Sequence, residues 1–198
     1  MTREELRRAL EQDVVSAAPL LLGWRLVYGD LVSQLVEVEA YGSTDDPGSH
    51  AFTKIGKRNR QMFAEPGSAY VYFTYGNHWM LNIVAHPAGE GGAVLFRGAK
   101  PLAGSSMMVE RRPKAIRDQD LLSGPGKICA AYGIDISLNG IDLLHPSSEL
   151  RLEPGVPVKR VLTGTRIGIA IGKGEDLVRR FIDADEMQWA SRPHLRTT

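Results

Sequence analysis

The chain has 198 residues, 43% of them hydrophobic, a single cysteine (Cys129) and a formal charge of +1 at neutral pH. That length favours one sizeable core over two, and one cysteine excludes an intramolecular disulfide or a Cys-x-x-Cys zinc pair. The near-neutral balance gives no overall attraction to a polyanion, although Lys54, Lys57, Arg58 and Arg60 form one cationic group and Arg111, Arg112, Lys114 and Arg117 another. Such groups are more often solvated faces than binding sites.

In chain order, Leu6, Ala9, Leu10 and Val14 predict an amphipathic helix over residues 4–17, with an apolar continuation or turn at 20–24. Residues 1–13 are charged and lack the apolar run of a leader, and no stretch approaches the roughly 18 apolar residues of a membrane span. No membrane association is expected, and the expected location is cytoplasmic. β-Branched and aromatic residues predict strands at 31–41, 69–75, 79–85, 93–96 and 166–171. Between them, residues 42–66 form a long polar stretch containing His50 and the first cationic group, and long ordered loops tend to carry function. Helices are predicted at 104–112 and within 119–132, the second starting near the SGPGK run. There is no internal repeat or low-complexity linker, so a single β-rich mixed α+β domain over residues 1–198 is expected.

Several side chains in these elements have chemical potential. Alternation along LVEVEAYG, residues 35–42, puts Glu37, Glu39 and Tyr41 on one strand face. Acids mid-strand are either an exposed face or a site, since an unpaired buried charge costs several kcal/mol. In YVYFTYGNHWMLNIV, residues 70–84, two alternating runs flank a turn, which predicts a β-hairpin with Tyr75 near its tip. A tip aromatic either packs on a neighbouring loop or enters a partner; in a nucleic-acid complex it could part base pairs from the minor groove. Asn82 lies inside the returning strand, where a polar side chain bonds the backbone or faces a pocket. Arg97 ends a short apolar strand, and Gly124 to Lys127 put small residues and a cation at a helix start able to approach phosphate. His50, His78, His86, His145 and His194 show no metal-ligand spacing, and H-E-x-x-H, nucleophile-elbow and P-loop signatures are absent.

Taken in order, VEVEAYG, His50, RNRQMF, PGSAYVYFTYGNHWMLNIV, AVLFRGAKPL, LLSGPGKICAAYGI and RIGIAIG resemble the alkyladenine (3-methyladenine) DNA glycosylase family from about Leu20 to Gly172. The resemblance implies a curved antiparallel sheet or partly open Greek-key barrel, with peripheral helices and a protruding β-hairpin. It implies a monofunctional enzyme, a monomer by default and without cofactor or metal. Its partner would be double-stranded DNA containing a damaged purine, with nucleoid association if the source is bacterial. Glu39, the acid before Ala-Tyr, would be the general base that activates a water near the sugar C1′. Arg97 would help hold that water and the nearby phosphate, and the main-chain carbonyl of Ile167 would help position it. Tyr41, His50 and Tyr72 would stack on and bond to the flipped base, and Asn82 would crowd a purine 2-amino group. Tyr75 would intercalate, and Lys127 would contact the DNA backbone. No lysine nucleophile belongs to the pattern, so strand cleavage is not expected. The resemblance weakens after Gly172, and Gly56-Lys57 stands where the family commonly has Thr-Pro. The competing readings are a catalytically idle damaged-DNA or RNA binding domain and a metal-dependent hydrolase.

Overall fold

The computed structural model describes residues 1–191, so His194 lies outside the described residues. Helix α1, Arg3–Leu10, opens with a reciprocal cap: the Thr2 hydroxyl accepts from the Glu5 N–H, and the Glu5 carboxylate accepts from the Thr2 N–H. It buries Leu6 and Leu10. The helix expected to run on to residue 17 is interrupted, because Asp13 accepts from the Ser16 N–H at 2.8 Å and caps a separate helix α2, Val14–Ala17. The cap satisfies orphan amide groups that a continuous helix would not expose.

Strands β1, Arg25–Tyr28, and β2, Leu31–Tyr41, form a tight antiparallel hairpin. β3, Ala69–Thr74, and β4, His78–Val84, form the second hairpin, as the alternation predicts. β5, Ala93–Ala103, runs well past the expected end at residue 96 and pairs along β2, with register shifts on either side of Glu37. Helices α3, Ser105–Arg111, α4, Gln119–Leu122, and α5, Pro125–Tyr132, follow, and α5 lies against β4 and β5. β6, Leu150–Glu153, β7, Val161–Thr165, and β8, Val178–Asp183, complete the sheet.

The molecule is mixed α and β, built on one eight-stranded antiparallel sheet of order β3-β4-β5-β2-β1-β6. β2 also pairs with β8, which pairs with β7, and the sheet is not closed into a barrel. β2 is the hub: β5 covers one edge, while β1 and then β8 share the other. Its residues 35–40 are all buried, so the possibility of an exposed acidic face does not hold. The strand expected at 166–171 is displaced. β7 ends at Thr165, and the following residues form a loop in which Gly168, Gly172 and Gly174 take φ of 81°, 77° and 75°, a conformation that ends strand geometry. Among the described residues no helix is long and apolar enough to cross a membrane.

Candidate active site

One cavity of about 360 Å3 opens between the β3–β4 hairpin, the long loop after β2 and the loop after β7. Tyr41, His50, Tyr72, Tyr75, Asn82, Arg97 and Ile167 all line it. Glu39 does not line it; its carboxylate is 0% exposed and sits one layer behind the wall, bonded to three lining residues. Oε1 accepts from the Ile167 N–H at 2.8 Å, while Oε2 accepts from the Tyr41 hydroxyl at 2.9 Å and lies 3.3 Å from Arg97 Nη1. The resemblance assigns Ile167 a carbonyl role, but the atom that meets Glu39 is its amide, presented where the chain turns after β7. Burial raises the Glu39 carboxyl above its ordinary pKa, reinforced by the nearby Glu37 charge; Arg97 and the Ile167 and Tyr41 hydrogen bonds work in the opposite direction.

Glu37, two residues earlier on the same strand, has other partners. Its Oε1 accepts from Arg180 Nε at 2.5 Å and from the Ser191 hydroxyl at 2.9 Å, and its Oε2 accepts from the Ser191 N–H at 2.6 Å. Arg97 connects the two acids: its Nε donates to Ser191 Oγ at 3.0 Å and lies 3.4 Å from Glu37 Oε1. Glu37 is thus consumed by a buried ion cluster, whereas Glu39 is the acid bonded to residues that line the cavity. A glycine at position 98 leaves room for this arrangement, since a Cβ there would fall 2.9 Å from Glu37 Oε2.

An aromatic group forms another part of the wall. Tyr70 and Tyr72 stack with centroids 5.1 Å apart, and His50 meets Tyr72 edge-on at 4.8 Å. A 2.9 Å bond joins His50 Nδ1 to the Tyr70 hydroxyl and fixes the imidazole plane. Burial, with the Arg58 charge, lowers the His50 pKa and so favours the neutral ring; burial pushes Tyr70 up to about 12 and raises Tyr72 as well. Asn82 Nδ2 donates to the Tyr70 carbonyl at 2.9 Å, which holds its amide against the cavity.

Tyr75 stands at the hairpin tip, 79% exposed. It is the one non-glycine residue with positive φ among those described, 52°, and Gly76 follows at 72°. An L-residue with a bulky side chain pays about 1–2 kcal/mol for this conformation, and the largely solvated ring recovers little by packing. Lys127 does not line the cavity; it is near the start of α5, with Nζ 3.2 Å from Ser123 Oγ, while Pro125 of the same turn does line it.

Sequence reasoning left out the residues that fasten these walls. Asp46 and Arg166, both fully buried, form a two-point pair at 2.6 and 2.7 Å. Asp46 also accepts from the Gly42 and Gly48 N–H groups, and Arg179 lies 3.2 Å away. Burial alone would raise the Asp46 pKa, but the Arg166 bonds and charge, the Gly42 amide and Arg179 together hold it below the usual carboxylate range. The Arg166 guanidinium carbon lies 4.6 Å from the Tyr41 ring centroid. Asp46 sits in a loop with no periodic pattern, so its sequence offers no signal; Arg166 opens the RIGIAIG block, but its partner is 120 residues away. Tyr70 could have been found, since it shares a strand face with Tyr72. Among the described residues no group of three or more His, Cys, Asp or Glu side chains is arranged to hold a metal.

The cavity offers a planar aromatic guest a wall of tyrosine and histidine rings, with Arg97 in the lining and the Glu39 carboxylate behind it. Comparison with known proteins places the chain in a family. The family model described as methylpurine-DNA glycosylase matches residues 8–187. A protein of Nitrosospira multiformis named "Putative 3-methyladenine DNA glycosylase" is 42% identical over 168 residues, covering 84% of this chain and 83% of its own. Proteins of the same printed name from Methanocella arvoryzae and Frankia casuarinae are 40% and 36% identical, covering 87% and 81% of this chain and 88% and 81% of their own. The chain belongs to the methylpurine-DNA glycosylase family, hydrolases of glycosyl bonds that remove damaged bases from DNA.

Proposed function

We propose that the chain, acting as a single domain and a monomer, flips alkylated purines out of duplex DNA and hydrolyses their N-glycosidic bonds. The observation that carries this reading is Glu39: a buried carboxyl with a raised pKa, bonded to three residues of a cavity wide enough for a base. An ionised carboxylate has about four acceptor positions, and three are occupied, two on Oε2 and one on Oε1. We assign the attacking water to the remaining position on Oε1. As its oxygen bonds to C1′, Glu39 accepts its proton, the glycosidic electrons pass to the purine, and an abasic sugar remains. Arg97, 3.3 Å from Glu39, favours the ionised form of the acid and orients the water.

Tyr41, Tyr72 and His50 receive the base. A cationic 3-methyladenine or 7-methylguanine gains most from their π faces and leaves as a neutral purine. Neutral hypoxanthine or ethenoadenine must instead gain a proton on departure. Asn82 crowds the 2-amino position of normal guanine, Tyr75 fills the space of the extruded nucleotide, and Lys127 contacts the backbone. No Schiff base forms, so the strand stays intact.

The test is single-turnover excision from duplexes carrying 3-methyladenine, hypoxanthine or ethenoadenine, with and without EDTA. The expected result is base release unaffected by EDTA, with strand breakage only after alkali. Binding without release would make the chain an idle damage-binding domain, and loss of release in EDTA would make it a metal-dependent hydrolase.

A further inference from the structure

The loop after β7 carries a side chain that this chemistry does not use. Ile171 is 94% exposed, more than Tyr75. A lone solvated apolar residue means little by itself, but its setting is specific. Ile167, Gly168 and Ile169 line the cavity, and two residues further on the chain projects into solvent. The projection is closed by hydrogen bonds from the Lys173 N–H to the Ala170 carbonyl, 3.0 Å, and from the Gly172 N–H to Glu175 Oε2, 2.9 Å. Its base is clamped from two sides. Arg166 Nη2 donates to the Gly174 carbonyl at 3.4 Å, and Gly48, another lining residue, approaches so closely that a Cβ there would fall 2.8 Å from the Lys173 carbonyl. Ile171 is therefore presented on an anchored rim of the same cavity whose hairpin side presents Tyr75.

We propose that Ile171 is a second apolar contact to duplex DNA, packing on the sugar and base edges of the minor groove beside the nucleotide that enters the cavity. This rests on the reading of the cavity as a flipped-base pocket. A duplex that delivers a nucleotide into the pocket must bring its flanking residues against the rim, and the minor groove accepts apolar side chains such as isoleucine between or against base steps. Lys173, exposed beside Ile171, adds a cation where phosphates would pass. A single strand lacks the paired groove, so the contact is specific to duplex.

The full chain and its Ile171→Ala and Ile171→Glu variants are compared by affinity for a 7-methylguanine duplex, by single-turnover excision from that duplex and the matching single strand, and by melting temperature. Burying one isoleucine side chain corresponds to about a tenfold affinity change. Ile171→Ala should therefore weaken duplex binding about tenfold, Ile171→Glu more, with single-strand excision and melting unchanged. Variants that bind the duplex and excise from it within twofold of an active wild type overturn the inference and leave the proposed function standing. So does a change in self-association of Ile171→Glu with duplex affinity intact, which would make the loop a contact between copies. If the wild type binds duplex but releases no base, the proposed function fails, and the duplex affinities of the variants still decide the role of Ile171.

Discussion

Replacing Glu39 with Gln keeps the side-chain shape and removes the charge. The Ile167 N–H, now 2.8 Å from Oε1, keeps an acceptor. Arg97 keeps Ser191 Oγ at 3.0 Å and Glu37 at 3.4 Å, so no buried cation is stranded. The Tyr41 hydroxyl loses its acceptor where the amide nitrogen replaces Oε2, a cost of about 1 kcal/mol. Working against that loss is the raised Glu39 pKa. A carboxyl whose folded pKa lies above its ordinary 4.5 binds its proton more tightly when folded, so its ionisation destabilises the fold; the penalty is absent below 4.5 and complete above the folded value. Glutamine abolishes that penalty. The two effects oppose at neutral pH, so the lost Tyr41 bond caps the destabilisation at about 1 kcal/mol, or about 2–4 °C in melting temperature at this size. Catalysis should change far more, since a general base contributes about 10²–10⁴-fold, or about 2.7–5.4 kcal/mol of barrier. The assay is single-turnover release of 7-methylguanine, which is already cationic and needs no proton to leave, with duplex affinity measured in parallel. Wild-type rates should rise with pH through the elevated Glu39 pKa and then level off, while Glu39→Gln should be slow and flat yet bind the lesion normally. A rate for Glu39→Gln within tenfold of wild type, or an unchanged acid limb, would refute the assignment of the base.

Tyr75→Gly should relieve the left-handed strain at the hairpin tip and keep or raise stability, by up to about 1 kcal/mol. The same variant should lose at least about tenfold in duplex excision, as expected when a wedge into the base stack is removed, and little on single strands; equal losses on both would count against insertion. Asp46→Ala leaves buried Arg166 without its carboxylate and should cost about 3–5 kcal/mol in urea unfolding at neutral pH. The Asp46 pKa is held below 3.8, so the pair's contribution is present above that pH and fades as pH falls below it. A loss under about 1 kcal/mol would show that the pair does not fasten the walls.

Local pattern was legible where neighbours in sequence are neighbours in space. The hairpin follows from alternation around a turn, and β2 from the alternation of Val36 and Val38 with Glu37 and Glu39. Pattern failed where distant partners decide the structure. β8 reads Val-Arg-Arg-Phe, and two adjacent arginines hide a buried strand, because Arg179 and Arg180 find their acids on Asp45, Asp46 and Glu37. The apolar alternation of residues 166–171 reads as a strand, but the glycines at 168 and 172 turn it into a rim. At the N-terminus the helical period persists across Asp13, whose cap breaks it. For the two acids of β2, alternation states only that they share a face. Their different environments depend on Arg180 and Ser191 in one case and Ile167 in the other, each more than 125 residues away.

Arg166 bonds to the Ala40 carbonyl at the end of β2, to Asp46 in the following loop and to the Gly174 carbonyl across the rim, with its guanidinium over Tyr41. One side chain thereby stitches together three stretches that a protein engineer would treat as separate cassettes. Transplanting either loop alone from another scaffold would strand a charge in the interior, so the two must be exchanged as a matched set. Retuning by single substitutions that leave the stitch intact is the open route.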